Sequence, residues 1–286
     1  MRSSEPRPPW LRVRWRTTPE FEAVRKTVED HGLHTVCFSA ACPNIGECWS
    51  RGTATFMIGG DICTRRCGFC AVGTGRPGRL DPHEPDRVAE AVDRLDLAFA
   101  VVTCVARDDL EDGGAEQMAR TLRAIRQRRP KTGVEVLISD YKGSEAALRT
   151  VLDADPDVLS HNLETVERLT RRVRVAGRYD RSLEVLRRAA TLRPDIPTKS
   201  GLMLGLGEFS DEVSRALSDL REAGVTLLTI GQYLQPSPDH LRVARYVPPE
   251  EFDAWAERAR ELGFRGVASG PLVRSSYRAE QLAAQG

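Results

Sequence analysis

From residue 55 onward the chain alternates short apolar runs with segments of helical periodicity, and that alternation restricts the folds open to it. The runs are "TFMIGG" (55–60), "FAVVTCV" (99–105), "GVEVLIS" (133–139), "VLSHNLE" (158–164), "TKSGLMLG" (198–205) and "TLLTIGQYL" (226–234). Helical spacing of apolar residues fills 84–96, 115–128, 144–153, 179–192 and 210–223, and a helix at 249–262 and a short strand at 265–270 follow. Each run is short, rich in Val, Ile, Leu and Thr, and separated from the next by a helix, which is the pattern of βαβ units and a parallel sheet. Six units predict an α/β chain folded as a partial (β/α)6 TIM-type barrel in place of the full eightfold one, with a doubly wound open sheet as the alternative. The barrel is expected over 56–264. Residues 1–55 form an N-terminal extension with a helix at 19–32 and a group of cysteines, and 265–286 form a short C-terminal extension.

Composition narrows the function classes. Lys and Arg total 42 against 41 Asp and Glu, a formal charge of +1, so no global electrostatic footprint for nucleic acid is present. Local basic stretches such as 7–16, 126–130 and 171–181 read as solvated surface. No apolar run reaches the ~18–20 residues of a membrane span, so neither nucleic acid nor membrane is expected as a partner. The N-terminus lacks the apolar centre of a signal peptide, and its two glutamates weaken a transit-peptide reading. A cytoplasmic location is expected, where structural disulfides are rare, so seven cysteines point to metal ligands or catalytic thiols.

Three of these thiols, Cys63, Cys67 and Cys70, follow the first strand with spacing C-x3-C-x2-C, in "GGDICTRRCGFCAVG" (59–73). In a barrel this is the C-terminal rim, where active sites sit. Structural zinc takes four protein ligands, and neither His83 nor Cys104 is placed to complete a pair. A 4Fe–4S cluster held by three thiolates would leave one iron open to a substrate. Zinc and redox thiols stay as alternatives at this point. With Phe69 before the last cysteine, the loop resembles the signature of radical S-adenosylmethionine enzymes. The resemblance implies that an open iron chelates S-adenosylmethionine, whose reductive cleavage gives a 5′-deoxyadenosyl radical.

A second trio lies upstream in "HTVCFSAACPNIGECW" (34–49), with Cys37, Cys42 and Cys48 at C-x4-C-x5-C in what reads as a loop stiffened by Pro43. Buried core cysteines, or zinc with His31 or His34 as fourth ligand, are the alternatives here. This segment is similar to the motif of the lipoyl synthase family, and "GPLVRSSYRAEQL" (270–282) is similar to that family's closing motif. "VTCVARDDLEDGGAEQ" (102–117), "SHNLETV" (160–166), "TKSGLMLGLGE" (198–208) and "GQYLQPSPDHLRVARYVPPEEF" (231–252) fall between them in family order, so the resemblance spans roughly 8–282. One departure is Cys104, where serine or glycine is expected; a strand cysteine there reads as a small structural hydrophobe.

The resemblance implies insertion of two sulfur atoms, at carbons 6 and 8 of an octanoyl chain amide-linked to a lysine of a carrier domain, on an E2 subunit or H protein. Two 4Fe–4S clusters and S-adenosyl-L-methionine are the implied cofactors. Cys63, Cys67 and Cys70 would hold the radical-generating cluster. Cys37, Cys42 and Cys48 would hold a sacrificial one, with Ser276 as fourth ligand and Ser275 as the neighbouring alternative. A serine oxygen matches iron less well than thiolate, so that corner should open most easily. A ferredoxin- or flavodoxin-type donor and an iron–sulfur assembly or carrier protein are the further partners implied. Arg107, Asp108, Asn162, Glu164 and Lys199 sit near expected strand ends and are the candidates for holding S-adenosylmethionine, surface ion pairs being the alternative for each. Arg12, Arg14 and Arg16 are expected to steer an acidic carrier domain. A biotin-synthase-like enzyme would share the first trio but lack the second and the closing motif, and a zinc-binding module would not need six βα units.

Overall fold

The computed structural model describes residues 6–13, 17–51 and 53–286, so Arg14 and Arg16 lie outside the described residues. Its strands are β1 (His34–Thr35), β2 (Thr55–Ile58), β3 (Ile62–Cys63), β4 (Gly73–Thr74), β5 (Phe99–Cys104), β6 (Gly133–Leu137), β7 (Val158–Ser160), β8 (Thr198–Leu204), β9 (Leu227–Gln232) and β10 (Gly266–Gly270). The helices are α1 (Pro19–Asp30), α2 (Val36–Ser39), α3 (Ile45–Ser50), α4 (Glu84–Arg94), α5 (Ala115–Arg128), α6 (Glu145–Leu152), α7 (Glu167–Val173), α8 (Tyr179–Leu192), α9 (Ser210–Glu222), α10 (Pro249–Glu261) and α11 (Ala279–Ala283).

The main sheet runs β1-β2-β5-β6-β7-β8-β9-β10. β1 joins antiparallel, whereas the pairs β2–β5, β5–β6, β8–β9 and β9–β10 are parallel. This largely parallel α/β sheet is that of a partial TIM-type barrel. Its inner strands are buried on both faces, as a parallel sheet covered by helices requires: every residue of β2 and β9 is buried, whereas β10 is mostly half-buried. The helices form for local reasons. In α5, Ala115, Met118, Ala119, Leu122 and Ile125 recur at three- and four-residue spacing and are wholly buried. In α4, Pro85 occupies the first turn, where its missing N–H costs nothing, with Glu84 and Asp86 beside the positive helix end.

Two compact units make up the chain. Of the described residues, the first comprises 17–51, 53–65 and 72–159; the second comprises 6–13, 66–71 and 160–286. In the first, α1 buries Phe21, Val24 and Val28, and Phe21 meets Trp49 of α3 with ring centroids 5.2 Å apart. In the second, Leu202, Leu204, Leu217, Leu220, Leu228 and Ile230 form an apolar core between β8, β9 and α9, with Phe252 of α10 packed into it.

The expected strand at 55–60 stops at Ile58, because Gly59 and Gly60 turn the chain with φ of +82° and +92°. The expected strand at 158–164 is regular only to Ser160 and regains a single bridge at Glu164, paired with Leu202. The segment read as a cysteine loop contains two short helices, α2 and α3. The basic stretch 171–181 read as plain surface begins inside α7, and α11 was not expected. β10, placed at the head of the C-terminal extension, continues the parallel sheet as the neighbour of β9. Among the described residues no helix is long and apolar enough to cross a membrane.

Candidate active site

The loop after β2 is anchored residue by residue. In the first unit, Arg107 donates Nη1–H to the Gly59 carbonyl at 3.0 Å and Nη2–H to the Gly78 carbonyl at 2.8 Å, and pairs with Asp109 through Nε and Nη2. At 3% exposure, its guanidinium is taken up in holding the chain around the loop. The Gly75 amide donates to the Cys63 carbonyl at 3.0 Å while β3 pairs with β4. Thr64 donates both its amide and its hydroxyl to the Ala106 carbonyl, at 3.0 and 2.8 Å, and accepts from the Asp108 amide at 3.1 Å.

Arg65 reaches Asp108 through Nε at 2.7 Å and Nη2 at 2.8 Å, and the wholly buried Asp140 through Nη2 at 2.5 Å. Burial alone would lower the Arg65 pKa; its hydrogen bonds to both carboxylates outweigh it and hold the group charged. The same bond from Arg65 holds Asp108 below the usual carboxylate range. With its side chain so fixed, the Arg65 amide lies 3.4 Å from Cys63 Sγ as a donor. Sequence reasoning singled out Asp108 but missed Arg65; the only signal for it was an arginine inside the cysteine spacing.

In the second unit the Cys70 amide donates to the Cys67 carbonyl at 3.1 Å, closing the turn between those two thiols. Cys67 bridges Arg174 in antiparallel fashion, and the Gly68 amide donates to the Val173 carbonyl at 2.9 Å. On the other side the Leu241 amide donates to the Gly68 carbonyl at 2.9 Å. A β-carbon at position 68 would stand 2.9 Å from Leu241 Cγ, so glycine is what lets the turn lie this close. Phe69 packs into the apolar core.

The upstream trio lies wholly in the first unit. Thr35 Oγ1 accepts from the Phe38 amide at 3.3 Å and caps α2. The Cys42 amide then donates to the Cys37 carbonyl, Ile45 to Cys42, Cys48 to Asn44, and Thr53 to Cys48, at 3.0, 3.3, 2.8 and 2.9 Å. These turns gather the thiols: burial, then the neighbouring thiols of Cys37 and Cys42 and the Glu47 carboxylate, push the Cys48 thiol up to about 12. Negative charge is therefore unwelcome at Cys48 unless a cation is present, and three thiols carried by one short segment are of the donor type that iron–sulfur clusters take. Among the described residues no three His, Cys, Asp or Glu side chains stand close enough to form a ready metal site.

Of the remaining candidates, Asn162 and Glu164 come together in the second unit, with Asn162 Nδ2 donating to Glu164 Oε1 at 3.1 Å. Asn162 Oδ1 is buried without a hydrogen-bond partner. A β-carbon on the facing Gly201 would come within 2.9 Å of that oxygen and 2.8 Å of Thr229 Oγ1. An orphaned acceptor beside a glycine fits a ligand bearing N–H or O–H groups. Glu164 is in a left-handed conformation at φ +70°, and burial raises its pKa against the Coulombic pull of Arg174. Lys199 is wholly buried within β8. Cys104, read as structural, is pushed up to about 11, chiefly by burial; Cys63 adds to the rise, while bonds involving Ser139 and Tyr141 oppose it.

The closing motif follows β10 in the second unit. Arg274 accepts from the Tyr277 amide at 3.0 Å, Arg278 lies over the Tyr277 ring at 5.1 Å, and Ser275 and Ser276 are half-buried. A β-carbon on Gly231 would fall 2.1 Å from the Val273 carbonyl oxygen, so the motif lies directly against β9. Val273, Tyr277 and Arg278 line a cavity of about 560 Å³ with Asp253, Glu257 and Arg260.

Residues 57–220 match the model of the radical SAM superfamily. The chain is 56% identical over 279 residues to the lipoyl synthase of Symbiobacterium thermophilum, covering 98% of this chain and 87% of that protein. It is 55% identical over 279 residues to the lipoyl synthase of Thermus thermophilus, covering 96% and 86%. Among solved structures it is similar to methylornithine synthase, with a TM-score of 0.57 at 14% identity over 86% of this chain and 68% of that one. It is also similar to the FeFe-hydrogenase maturase of Carboxydothermus hydrogenoformans, with a TM-score of 0.59 at 15% identity over 86% and 56%. At those identities the structural likeness speaks for the fold alone.

Proposed function

The chain belongs to the lipoyl synthase family of radical S-adenosylmethionine enzymes, and from that premise we propose how its residues divide the work. It is a sulfur-inserting enzyme that uses S-adenosylmethionine and two 4Fe–4S clusters and acts on octanoylated carrier proteins. When bound, these groups supply the electron and radical that break unactivated C–H bonds, and the sulfur that replaces them.

Cys63, Cys67 and Cys70 hold the radical-generating cluster and leave one iron for S-adenosylmethionine. Cys37, Cys42 and Cys48 hold the sacrificial cluster, with the Ser276 hydroxyl as its fourth ligand. What supports this most is the second thiol trio, which a threonine cap and a run of backbone bonds from Cys42 to Cys37, Cys48 to Asn44 and Thr53 to Cys48 hold in one short segment. Asn162 and Glu164 take the polar end of S-adenosylmethionine, the orphaned Asn162 Oδ1 accepting from it. Arg107 and Asp108 support the loop, and Lys199 acts from within β8, where it is wholly buried. Residues 1–55 serve the sacrificial cluster, 56–264 the radical chemistry, and 265–286 the fourth ligand. Octanoyl-lysine on an E2 subunit or H protein is the substrate, a ferredoxin- or flavodoxin-type protein the electron donor, an iron–sulfur assembly or carrier protein the source of new cluster, and the cytoplasm the compartment.

The test is anaerobic incubation of reconstituted protein with an octanoyl-lysine peptide, S-adenosylmethionine and dithionite, followed by mass spectrometry. The expected result is a peptide carrying two added sulfur atoms. Cleaved S-adenosylmethionine with an unaltered peptide would overturn the substrate assignment.

A further inference from the structure

The second unit places on the loop a side chain that is not among the site residues expected from the sequence. His240 Nε2 lies 3.0 Å from the Cys70 carbonyl oxygen, 170 residues away in the chain. A carbonyl can only accept, so Nε2 carries the proton and donates. The other ring nitrogen, Nδ1, lies 2.8 Å from Ser237 Oγ, and in the neutral ring it accepts the Ser237 hydroxyl proton. Ser237 Oγ in turn accepts from the Asp239 amide at 3.3 Å.

The backbone of His240 is fixed as well. Its amide donates to the Ser237 carbonyl at 3.1 Å, and its carbonyl accepts from Gln235 Nε2 at 3.0 Å. The next residue, Leu241, donates its amide to Gly68, and its carbonyl accepts from Tyr233 Oη at 2.6 Å. The imidazole is thus held in one tautomer and one orientation by a segment that starts from β9. It meets Cys70 on the carbonyl side, while the Cys70 amide is engaged by Cys67. Both peptide groups of Cys70 are therefore fixed.

We propose that His240 is a positioning residue for Cys70: its Nε2–H holds the Cys70 peptide so that the thiolate is presented in the geometry a cluster needs before the cluster arrives. Ser237 sets the ring tautomer. This rests on the reading that Cys70 is a ligand of the radical-generating cluster. Partners one step removed from a metal ligand commonly contribute ten- to hundredfold in affinity or activity. The work of His240 is to reduce the rearrangement the loop must undergo on ligation and to slow loss of the cluster.

The experiment compares the full chain with His240→Ala, His240→Gln and Ser237→Ala after anaerobic reconstitution. The readouts are the rate at which a chelator strips iron from the downstream site and the electron paramagnetic resonance spectrum of the reduced cluster with and without S-adenosylmethionine. Cys37, Cys42 and Cys48 are replaced by alanine throughout, so that only one site is observed. His240→Ala should lose iron roughly tenfold faster and show a broadened spectrum. His240→Gln keeps an N–H donor at similar reach and should recover most of the parent's stability, and Ser237→Ala should fall between. Parent-like stripping and spectra in His240→Ala overturn the proposal. So does equal damage from His240→Ala and His240→Gln with parent-like behaviour of Ser237→Ala, which would mean that ring packing matters and the donor does not. If the parent carrying only the downstream trio binds no iron–sulfur cluster, the ligand assignment of Cys70 fails first, and that outcome is distinct from the other two.

Discussion

The two cysteine trios are built in opposite ways. The upstream one closes on itself: the bonds that gather Cys37, Cys42 and Cys48 run between residues no more than five apart, from Cys42 to Cys37, Ile45 to Cys42, Cys48 to Asn44 and Thr53 to Cys48. The residues of the downstream one are held, within each unit, by segments distant in sequence. Thr64 is held by Ala106, Arg65 by Asp108 and Asp140, Gly68 by Val173 and Leu241, and Cys70 by His240. Under the proposed division of labour, local closure suits a cluster that is dismantled and rebuilt. Under the same proposal, anchoring to distant elements suits a site that must deliver a radical repeatedly in one geometry. The difference teaches that equal numbers of thiols can serve unlike tasks, and that their supports distinguish them.

Replacing Cys63, Cys67 and Cys70 with alanine should have the largest effect. Cleavage of S-adenosylmethionine should vanish, while iron analysis still finds about four irons per chain in the other site. Replacing Cys37, Cys42 and Cys48 instead should leave cleavage in place and abolish sulfur insertion. If loss of the upstream trio also stopped cleavage in folded protein, the two trios would not be separable.

Ser276→Cys should come next. Thiolate is the better match for an iron–sulfur iron, so both clusters and cleavage should persist while sulfur insertion becomes slow or absent. Ser275→Cys is the control, and normal turnover by both variants would remove the serine from the proposal. A smaller effect is expected from Gly68→Ala, which sets a β-carbon against Leu241. Destabilisation of about 1–3 kcal/mol should appear in chemical denaturation. Iron should be lost only from the downstream site, and the double variant with Leu241→Ala should recover part of the loss. Thr35→Ala should have the least effect, about 1 kcal/mol through the lost cap of α2. It should loosen the upstream site alone, and equal iron loss at both sites would break the contrast between local and remote support.

Much of this was legible from local signals. The helical periods at 115–128 and 179–192 coincide with α5 and α8, because an amphipathic repeat over four turns is decided by side chains within that stretch. The strands at 99–105 and 226–234 were legible for a similar reason, as short apolar runs between helices. α2 and α3 escaped notice because four and six residues are too few to show a period, and their stability comes from a threonine cap and turn bonds. α7 was hidden by its arginines, which read as surface charge. The strand at 55–60 was overextended because two glycines, silent in a periodicity argument, take positive φ.

The sequence by itself determined the order of elements, the two cysteine spacings and the closing Arg274-Ser275-Ser276-Tyr277 motif, all of them properties of neighbouring residues. Only the tertiary structure decided that Arg65 would be neutralised by Asp108 and Asp140, that Arg107 would be taken up with Gly59, Gly78 and Asp109, and that Asn162 Oδ1 would be left without a partner. It also decided that a β-carbon at position 68 would press on Leu241 and that His240 meets Cys70. The physical reason is range. Periodicity, capping and ligand spacing are set within a few residues of chain, whereas a buried ion pair, a backbone contact across a glycine or an orphaned acceptor depends on which distant segment the packing brings alongside.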